Sequence, residues 1–248
     1  ARWDGLKWNC YGNEVLNVVR SLLEVGKDLY IGGTFQSNSY RYLIRWDGTS
    51  FHTLPHTPSS TVHSLLSFQN NLLVGGDFTQ LGDVSSSHFV SVDLENEGSS
   101  EIQTFGNNFL QSVYSSALNG TNELYIGGLF VDLAGDTAID RLARYDGESL
   151  SVVGTGISNV VYCMVINGSD LIIGGSFTNL GSVDGVRLAR YEGSTGTWKS
   201  YGNGITGGAV FDIVVLGEEM YVGGSFTNVG DSNGDRILRW DGNGWNNV

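Results

Sequence analysis

The fold of this chain is indicated by one short stretch, Leu29-Tyr30-Ile31-Gly32-Gly33-Thr34-Phe35. The pattern is an apolar strand that runs into Gly-Gly and then phenylalanine, and it returns four more times. The first glycines stand at positions 32, 75, 127, 174 and 223, so the spacings are 43, 52, 47 and 49 residues. Most copies are followed by a second motif, Arg-aromatic-acid-Gly, as at Arg45-Trp46-Asp47-Gly48. The chain is therefore built from repeats.

Each repeat has the pattern of four short strands. In the second full repeat, strands are predicted over 62–68, 71–78, 88–94 and 102–105, with a polar loop over 79–87. Repeats of this length with several short strands are typical of a β-propeller, in which each repeat forms one four-stranded blade. The prediction is an all-β fold, a single β-propeller domain over residues 1–248.

Five full blades are predicted, with a partial N-terminal blade in front of them. The half blade, residues 1–12, duplicates strands three and four of a repeat, as does the end of the chain. Two arrangements therefore stay open: a five-bladed ring with an additional hairpin, or a six-bladed ring with one incomplete blade. The approximate limits of the full blades are 13–54, 60–105, 109–153, 157–201 and 207–248.

The repeated residues are expected to serve the architecture. Gly-Gly allows close backbone approach and unusual backbone angles, and the phenylalanine is expected to pack between blades. In the second motif, Asp-Gly predicts a hairpin turn. Its aromatic residue is expected to be buried, and its arginine to pair with a carboxylate or stack on a ring. The second full blade has Ser91-Val92-Asp93-Leu94 instead, so looser or replaced contacts are expected there.

Strand one of each blade is expected to line a central channel. One small or polar position recurs on this strand, and narrow packing at an axis requires small side chains. Its occupants are Ser21, Ser64, Ser115, Cys163 and Asp212. Asp212 differs from the others, and we interpret it as a hydrated carboxylate rather than an ion site.

The strongly acidic composition disfavours several classes of partner. Lys and Arg number 13 and Asp and Glu 26, which gives a net charge of -13. Nucleic-acid binding requires a basic stripe and anionic lipid attracts basic segments, so neither is expected as a partner. No run of 18 apolar residues occurs, so membrane insertion is not expected. The acidic surface suits solubility, cations or basic partners.

Two glycosylation sequons favour a secreted or cell-surface protein. Asn119-Gly120-Thr121 and Asn167-Gly168-Ser169 stand at the same place in their repeats. Each predicts either a glycosylated asparagine or simply a type I′ hairpin turn. The chain starts at Ala1 in the middle of a repeat, so we interpret it as processed or as part of a longer chain or assembly. Cys10 and Cys163 lie in distant repeats, so a disulfide between them is not expected, and Cys10 could pair outside this segment.

The two motifs together resemble the kelch type of β-propeller. Gly-Gly after an apolar strand, an aromatic-acid turn and then tryptophan carry this resemblance, and the tryptophans are Trp8, Trp198 and Trp245. A closer resemblance is to the variety that reads Leu-Tyr-Ile-Gly-Gly-x-Phe and then Arg-Trp-Asp-Gly. This variety occurs in extracellular repeat proteins of bacteria and in fungal cortical-polarity, bud-site-selection proteins. The resemblance covers essentially the whole chain, and it implies a fold rather than one function, because kelch-like propellers serve as scaffolds, lectins and occasionally oxidases.

One loop is a candidate calcium site. In the segment 231–235, Asp231, Asn233 and Asp235 supply side-chain oxygens at every second position, and Gly234 lies between the last two, as in calcium loops. The later bidentate acid of an EF-hand is lacking, so a plain acidic turn is the alternative. No other cofactor is predicted.

Catalytic residues are not predicted. The copper oxidases among kelch-like propellers need a set of His, Tyr and Cys ligands. Here the histidines fall in one region and show no metal-binding spacing: His52, His56, His63 and His88. No nucleophile elbow, phosphate loop or zincin motif is present, so the expectation is a protein without enzymatic activity.

Two functional hypotheses follow. The first is a non-enzymatic extracellular or cell-surface scaffold for binding or adhesion, whose loops between strands two and three form a protein-binding face. These loops vary most between repeats, and varied loops on a fixed frame suit recognition. They span 36–41, 79–87, 131–140, 178–186 and 227–235. The alternative is a propeller lectin that binds glycans between or on the blades, which requires exposed aromatic residues and similar loops.

Overall fold

The computed structural model describes residues 2–10, 17–37, 39–86, 88–94, 102–104, 109–133, 136, 140–184, 186–227 and 236–248. These residues form β-strands and turns without an α-helix. Accordingly, the described part of the chain has no helix that is long and apolar enough to cross a membrane. The chain divides into two compact units, Ala1–Phe105 and Gly106–Val248.

The first unit contains a front hairpin and two blades, each an antiparallel four-stranded meander. The front hairpin consists of β1 (Arg2–Trp3) and β2 (Trp8–Asn9). Blade 1 consists of β3 (Val19–Val25), β4 (Asp28–Gln36), β5 (Arg41–Trp46) and β6 (Phe51–Thr53). Blade 2 consists of β7 (Val62–Phe68), β8 (Asn71–Gly76), β11 (Phe89–Asp93) and β12 (Ile102–Thr104), with the short hairpin β9 (Gln80–Leu81) and β10 (Val84–Ser85) inserted after β8.

The second unit contains three blades of the same topology. Blade 3 consists of β13 (Val113–Asn119), β14 (Glu123–Gly128), β15 (Leu142–Tyr145) and β16 (Leu150–Val152). Blade 4 consists of β17 (Val161–Asn167), β18 (Asp170–Gly175), β21 (Leu188–Glu192) and β22 (Thr197–Ser200), with the hairpin β19 (Asn179–Leu180) and β20 (Val183–Asp184) inserted. Blade 5 consists of β23 (Val210–Leu216), β24 (Glu219–Gly224), β25 (Ile237–Trp240) and β26 (Trp245–Asn247).

The loop between strands two and three of blade 2 is more ordered than its polar sequence predicts. It contains the β9–β10 hairpin, and Leu81 of this hairpin is fully buried and bridges to Pro58. Blade 4 repeats the arrangement, with buried Leu180 bridging to Ile157. The predicted polar loop therefore contains a short hairpin that the sequence does not predict, and one buried leucine anchors this hairpin in each of the two blades.

Close packing explains the Gly-Gly pair. A Cβ atom on Gly175 would lie 2.1 Å from the carbonyl oxygen of Val160, just before strand one of the same blade. A Cβ atom on Gly174 would lie 2.5 Å from Cγ1 of Val210, in strand one of the next blade. No glycine of the five pairs has a positive φ. The expectation of unusual backbone angles is therefore wrong. Close approach on two sides requires glycine in blades 1, 3 and 4, whereas in blade 5 only Gly224 is closely approached, because a Cβ atom on Gly223 would meet nothing nearer than 3.9 Å.

The phenylalanine after each Gly-Gly is buried in every blade. The exposed fraction is at most 1% for Phe35, Phe78, Phe130, Phe177 and Phe226. Phe177 belongs to the core cluster shared by blades 3 and 4, and Phe226 to the cluster shared by blades 4 and 5. Phe78 belongs to the cluster shared by blades 1 and 2. The prediction of a wedge between blades is confirmed for these three positions.

The arginine of the second motif pairs with a carboxylate at the start of strand two, as predicted. Arg45 Nη1 lies 3.0 Å from Asp28 Oδ2, for example. Part-exposed pairs of this kind contribute roughly 0.2–1 kcal/mol each. In blade 2, buried Ser91 occupies the arginine position and Asn71 the carboxylate position, so this pair of positions carries no charges there. The pairs are Arg45–Asp28, Arg144–Glu123, Arg190–Asp170 and Arg239–Glu219.

The aromatic residue of the second motif is half-buried rather than buried in blades 1, 3, 4 and 5. It contacts a residue on strand four of the same blade, and the ring centroids of Trp240 and Trp245 lie 5.2 Å apart. Strand four is the edge strand of the sheet, so the ring is covered less than an interior ring would be. In the front hairpin, Trp3 is 50% exposed although it packs against Trp8.

The two predicted turns have different outcomes. The Asp-Gly turn is confirmed, because Asp146 Oδ1 accepts hydrogen bonds from the backbone nitrogens of Ser149 and Glu148, and these bonds lower the pKa of Asp146. The type I′ turn at the sequons is wrong. Asn167 pairs with Asp170, so the two loop residues are Gly168 and Ser169. Only Gly168 has a positive φ, whereas a type I′ turn requires a positive φ at both loop residues.

Candidate functional site

Every strand one contains a β-bulge beside the Gly-Gly pair. In blade 4, Val161 pairs with Gly175 and Cys163 with Gly174, so Tyr162 is an extra residue on its strand. The other four blades show the same register shift. The five bulged residues are Arg20, His63, Tyr114, Tyr162 and Phe211. Each lies at the blade end from which the loop between strands two and three emerges.

In the second unit the bulged residues form a continuous aromatic row. The ring centroids of Tyr114 and Tyr162 lie 5.3 Å apart, and those of Tyr162 and Phe211 lie 5.4 Å apart, both edge to face. Phe211 is 52% exposed, while Tyr114 and Tyr162 are half-buried. We call Tyr114, Tyr162 and Phe211 the aromatic row. It crosses three successive blades and places apolar surface in contact with solvent.

Arginines adjoin this end of blades 3 and 4. Arg187 Nη1 donates a hydrogen bond of 2.6 Å to the carbonyl oxygen of Ser176, and Arg141 donates to the carbonyl oxygen of Leu129. Each acceptor is the residue directly after Gly-Gly, beside the bulged strand. Because the backbone holds both guanidinium groups, their remaining N–H groups are oriented in advance for a ligand.

In blades 1 and 4, the small position next to the bulge contacts the following blade. Ser21 Oγ accepts a hydrogen bond of 3.1 Å from Leu65 N, and the Cys163 thiol donates to the carbonyl oxygen of Val210 at 3.9 Å. Small side chains are required here because the neighbouring strand one approaches closely. Asp212 is exposed and its Oδ1 accepts from Ile213 N at 2.9 Å, which agrees with a hydrated carboxylate. A central channel stays a prediction.

In the first unit, the bulged residues are the polar Arg20 and His63 rather than tyrosine or phenylalanine. His63 Nε2 lies 3.0 Å from Asp77 Oδ2, and the His63 side chain is 9% exposed. His88 Nδ1 lies 3.2 Å from the carbonyl oxygen of Gly76. Within the described ranges, no group of three or more His, Cys, Asp or Glu side chains is placed to hold a metal ion.

A concave feature lies at the end of the strands opposite the aromatic row in the second unit. It is a polar groove of about 400 Å³ between blades 3 and 4, which we call the blade 3–4 groove. Blade 3 contributes six residues, and blade 4 contributes three. The lining residues are Asn119, Glu123, Tyr125, Arg144, Val152, Val153, Ser169, Tyr191 and Gly193.

A hydrogen-bonded network lines one side of this groove. The Glu123 carboxylate accepts from Arg144 Nε and from Asn119 Nδ2. The arginine side chain is 41% exposed, so part of the guanidinium faces solvent. Burial, together with the charge and hydrogen bond of Glu123, raises the pKa of Tyr125 to about 12, so this phenol stays protonated at neutral pH. The acid and the arginine neutralise each other, which leaves the groove polar without net charge.

The residue directly after strand four differs in size between blades 3 and 4. By strand register, Val153 of blade 3 corresponds to Tyr201 of blade 4. The ring of Tyr201 packs on Trp240 and Trp245 at centroid distances of 5.6 and 6.5 Å, and its burial raises its pKa to about 12. The tyrosine therefore occupies the corresponding region between blades 4 and 5, whereas the smaller Val153 leaves space.

The sequence-predicted site residues have different outcomes. The calcium candidates Asp231, Asn233 and Asp235 lie outside the described residues, so that hypothesis stays untested. Cys10 is an exposed free thiol and Cys163 a buried free thiol, and burial raises the pKa of Cys163 well above its usual value. Neither the aromatic row nor the blade 3–4 groove is predicted from the sequence. A signal for the row exists, because each of its residues directly precedes the recurring small position when the repeats are aligned.

The two sequon asparagines differ in their surroundings. Asn167 is exposed at a tight turn, whereas Asn119 is half-buried and its Nδ2 donates to Glu123. On expression in a eukaryotic secretory system, we therefore expect Asn167→Gln to remove the mass of one glycan and Asn119→Gln to change little. Intact mass before and after glycosidase treatment measures this. Loss of a glycan in Asn119→Gln but not in Asn167→Gln would contradict the assignment.

Comparison with known proteins shows the fold. No protein-family model and no curated protein matches the chain. A chain from the crystal structure of a nidogen/laminin complex is similar with a TM-score of 0.61 and 11% identity, over 90% of this chain and 76% of that one. The WD40 repeats of RRP9 are similar with a TM-score of 0.55 and 13% identity, over 92% of this chain and 61% of that one.

These similarities confirm the fold class predicted from the repeats. WD40 repeats form β-propeller blades of four strands, and the chain has five such blades. The chain therefore has a β-propeller fold. Identities of 11% and 13% carry no information on a specific family, so the kelch and bud-site-selection resemblance stays a resemblance.

Proposed function

We propose that this chain is a non-enzymatic binding scaffold that holds a protein partner against the aromatic row. The observation that carries the proposal is the series of edge-to-face contacts from Tyr114 through Tyr162 to Phe211, which ends in a half-exposed phenylalanine. Aromatic residues and arginine are enriched in the centres of protein interfaces, and Arg141 and Arg187 are held at the same blade ends.

The row is suited to recognition because its rings are already positioned. Each ring contacts its neighbour before any ligand arrives, so little side-chain entropy is lost on binding. In blade 4, the loop between strands two and three contains the β19–β20 hairpin and emerges at the same blade end as the row, so it is available to a partner seated on the rings. The net charge of -13 favours a partner with a basic surface, because opposite charges accelerate association. Among similar solved structures, one is a complex of two proteins.

The scaffold is proposed to act outside the cell or at its surface, in an adhesion role. The exposed asparagine of the second sequon supports this placement, and the glycosylation experiment above tests it. Calcium bound by the 231–235 loop remains part of the proposal as an additional element. Isothermal titration with calcium, comparing the chain with its Asp231→Asn variant, tests that element separately.

Carbohydrate binding is the second candidate function. A lectin with one equal site per blade is disfavoured, because Tyr201 occupies the region between blades 4 and 5 that corresponds to the open groove between blades 3 and 4. A single glycan site in the blade 3–4 groove is compatible with protein binding at the aromatic row, since the two features lie at opposite ends of the strands.

The proposed function predicts a loss of binding in Phe211→Ala. A displayed random-peptide library is selected against the immobilised chain, and the selected peptides are then titrated with purified protein. We expect Phe211→Ala to weaken binding at least about tenfold, which corresponds to about 1.4 kcal/mol, because interface aromatics often exceed that value.

Leu216→Ala is the matched control for this experiment. Leu216 is 61% exposed on the same strand of blade 5 but lies at the hairpin end, away from the row. Its replacement is expected to leave the dissociation constant within about twofold, well below the tenfold that 1.4 kcal/mol represents. Peptides that bind Phe211→Ala as well as the unchanged chain would refute the aromatic row as the interface.

A further inference from the structure

The blade 3–4 groove has the size of a small-molecule site and a mainly polar lining. Its volume of about 400 Å³ lies within the range of roughly 300–1,000 Å³ that is usual for ligand pockets. It is bounded by the aromatic ring of Tyr191 and by the apolar side chains of Val152 and Val153. Polar groups converge on it from both blades, so a bound molecule would contact both.

The polar groups of the groove are matched to hydroxyl groups. The Glu123 carboxylate supplies acceptors and the part-exposed Arg144 guanidinium supplies donors, while the pair carries no net charge. One N–H of Asn119 Nδ2 donates to Glu123, and the Asn119 carbonyl oxygen makes no hydrogen bond among the described residues, so it is open as an acceptor. A sugar hydroxyl both donates and accepts, whereas a charged ligand gains no net electrostatic attraction from a pair whose charges cancel.

We propose that the blade 3–4 groove binds one neutral sugar residue, a site distinct from the protein-binding aromatic row. The sugar hydroxyls exchange hydrogen bonds with the Glu123–Arg144 pair and with Asn119, and Tyr191 supplies the aromatic surface. The site lies between blades 3 and 4 because Val153 is smaller than Tyr201, which fills the corresponding space between blades 4 and 5. A ligand of this size is expected to bind with a dissociation constant of about 1 mM.

The test uses the full chain produced in bacteria, so that neither sequon is modified. The probes are methyl glycosides of glucose, galactose, mannose, fucose and N-acetylglucosamine, with methyl glucuronide as a charged comparison. Saturation-transfer NMR identifies binders, and titration gives their dissociation constants. At least one neutral glycoside is expected to bind, at least fivefold more tightly than the glucuronide.

Variants locate the site. Val153→Tyr introduces the residue of blade 4 into the groove and is expected to abolish binding, while Val214→Tyr on the exposed side of blade 5 retains it. Glu123→Gln keeps the shape of the side chain but loses its charge, and is expected to weaken binding at least fivefold even if Val153→Tyr does not fold. The proposal is overturned if no neutral glycoside binds, if the glucuronide binds best, or if a folded Val153→Tyr retains binding.

Discussion

Replacing Phe177 by alanine is expected to lower the free energy of unfolding by about 3–5 kcal/mol. The phenylalanine is fully buried in the core cluster of blades 3 and 4, where Leu171, Ile173 and Leu180 belong to the same cluster. Its removal loses the hydrophobic transfer energy of a large side chain and leaves a cavity, because the surrounding strands are fixed by their hydrogen bonds. Urea denaturation followed by circular dichroism measures the loss.

The matched control for Phe177→Ala is Phe211→Ala. The two substitutions remove the same atoms, but Phe211 is 52% exposed and has a ring contact with Tyr162. Its replacement is expected to cost no more than about 1.5 kcal/mol. Equal losses in the two variants would contradict the assignment of Phe177 as a wedge between blades.

Replacing Gly175 by alanine is expected to cost about 2–3 kcal/mol, in the upper part of the range for overpacking. The new Cβ atom would lie 2.1 Å from the carbonyl oxygen of Val160 and 2.9 Å from Cδ1 of Phe177. Because the carbonyl oxygen belongs to the backbone, it cannot move aside as a flexible side chain would. The Ser176 N–H donates a 3.0 Å hydrogen bond to that same carbonyl oxygen, so displacing the chain weakens it. The expected readout is a lower urea midpoint.

Gly244→Ala provides the comparison for Gly175→Ala. No atom lies within 4 Å of a Cβ placed there, and Gly244 does not have a positive φ. Alanine is expected to be neutral or to stabilise the protein by up to about 1 kcal/mol, because it lowers the conformational entropy of the unfolded chain. If Gly175→Ala behaved like Gly244→Ala, close approach would not explain the Gly-Gly motif.

Much of the fold can be predicted from the sequence because repetition separates shared residues from individual ones. Gly-Gly, the phenylalanine and the Arg-aromatic-acid-Gly turn recur in most blades, and a pattern that recurs must serve the unit that recurs. The pairing of Arg45 with Asp28 illustrates this, since both charges hold the same relative positions in blades 3, 4 and 5.

The candidate sites were not predictable in the same way, because each depends on geometry that residue types do not encode. The bulge that exposes Phe211 is a matter of strand register, and its sequence has no proline or glycine to mark it. The groove depends on the absence of a large side chain at Val153, which is visible only when strand four of blade 3 is aligned with that of blade 4.

The bulge has a consequence for how this fold can change. In all five blades, strand one has one bulged residue without a partner on strand two. This residue is arginine, histidine, tyrosine or phenylalanine. Its side chain can therefore be exchanged while the Gly-Gly packing and the buried phenylalanine stay unaltered. Each blade offers one interchangeable position on an invariant frame, so new specificities are open to this protein at little risk to its folding.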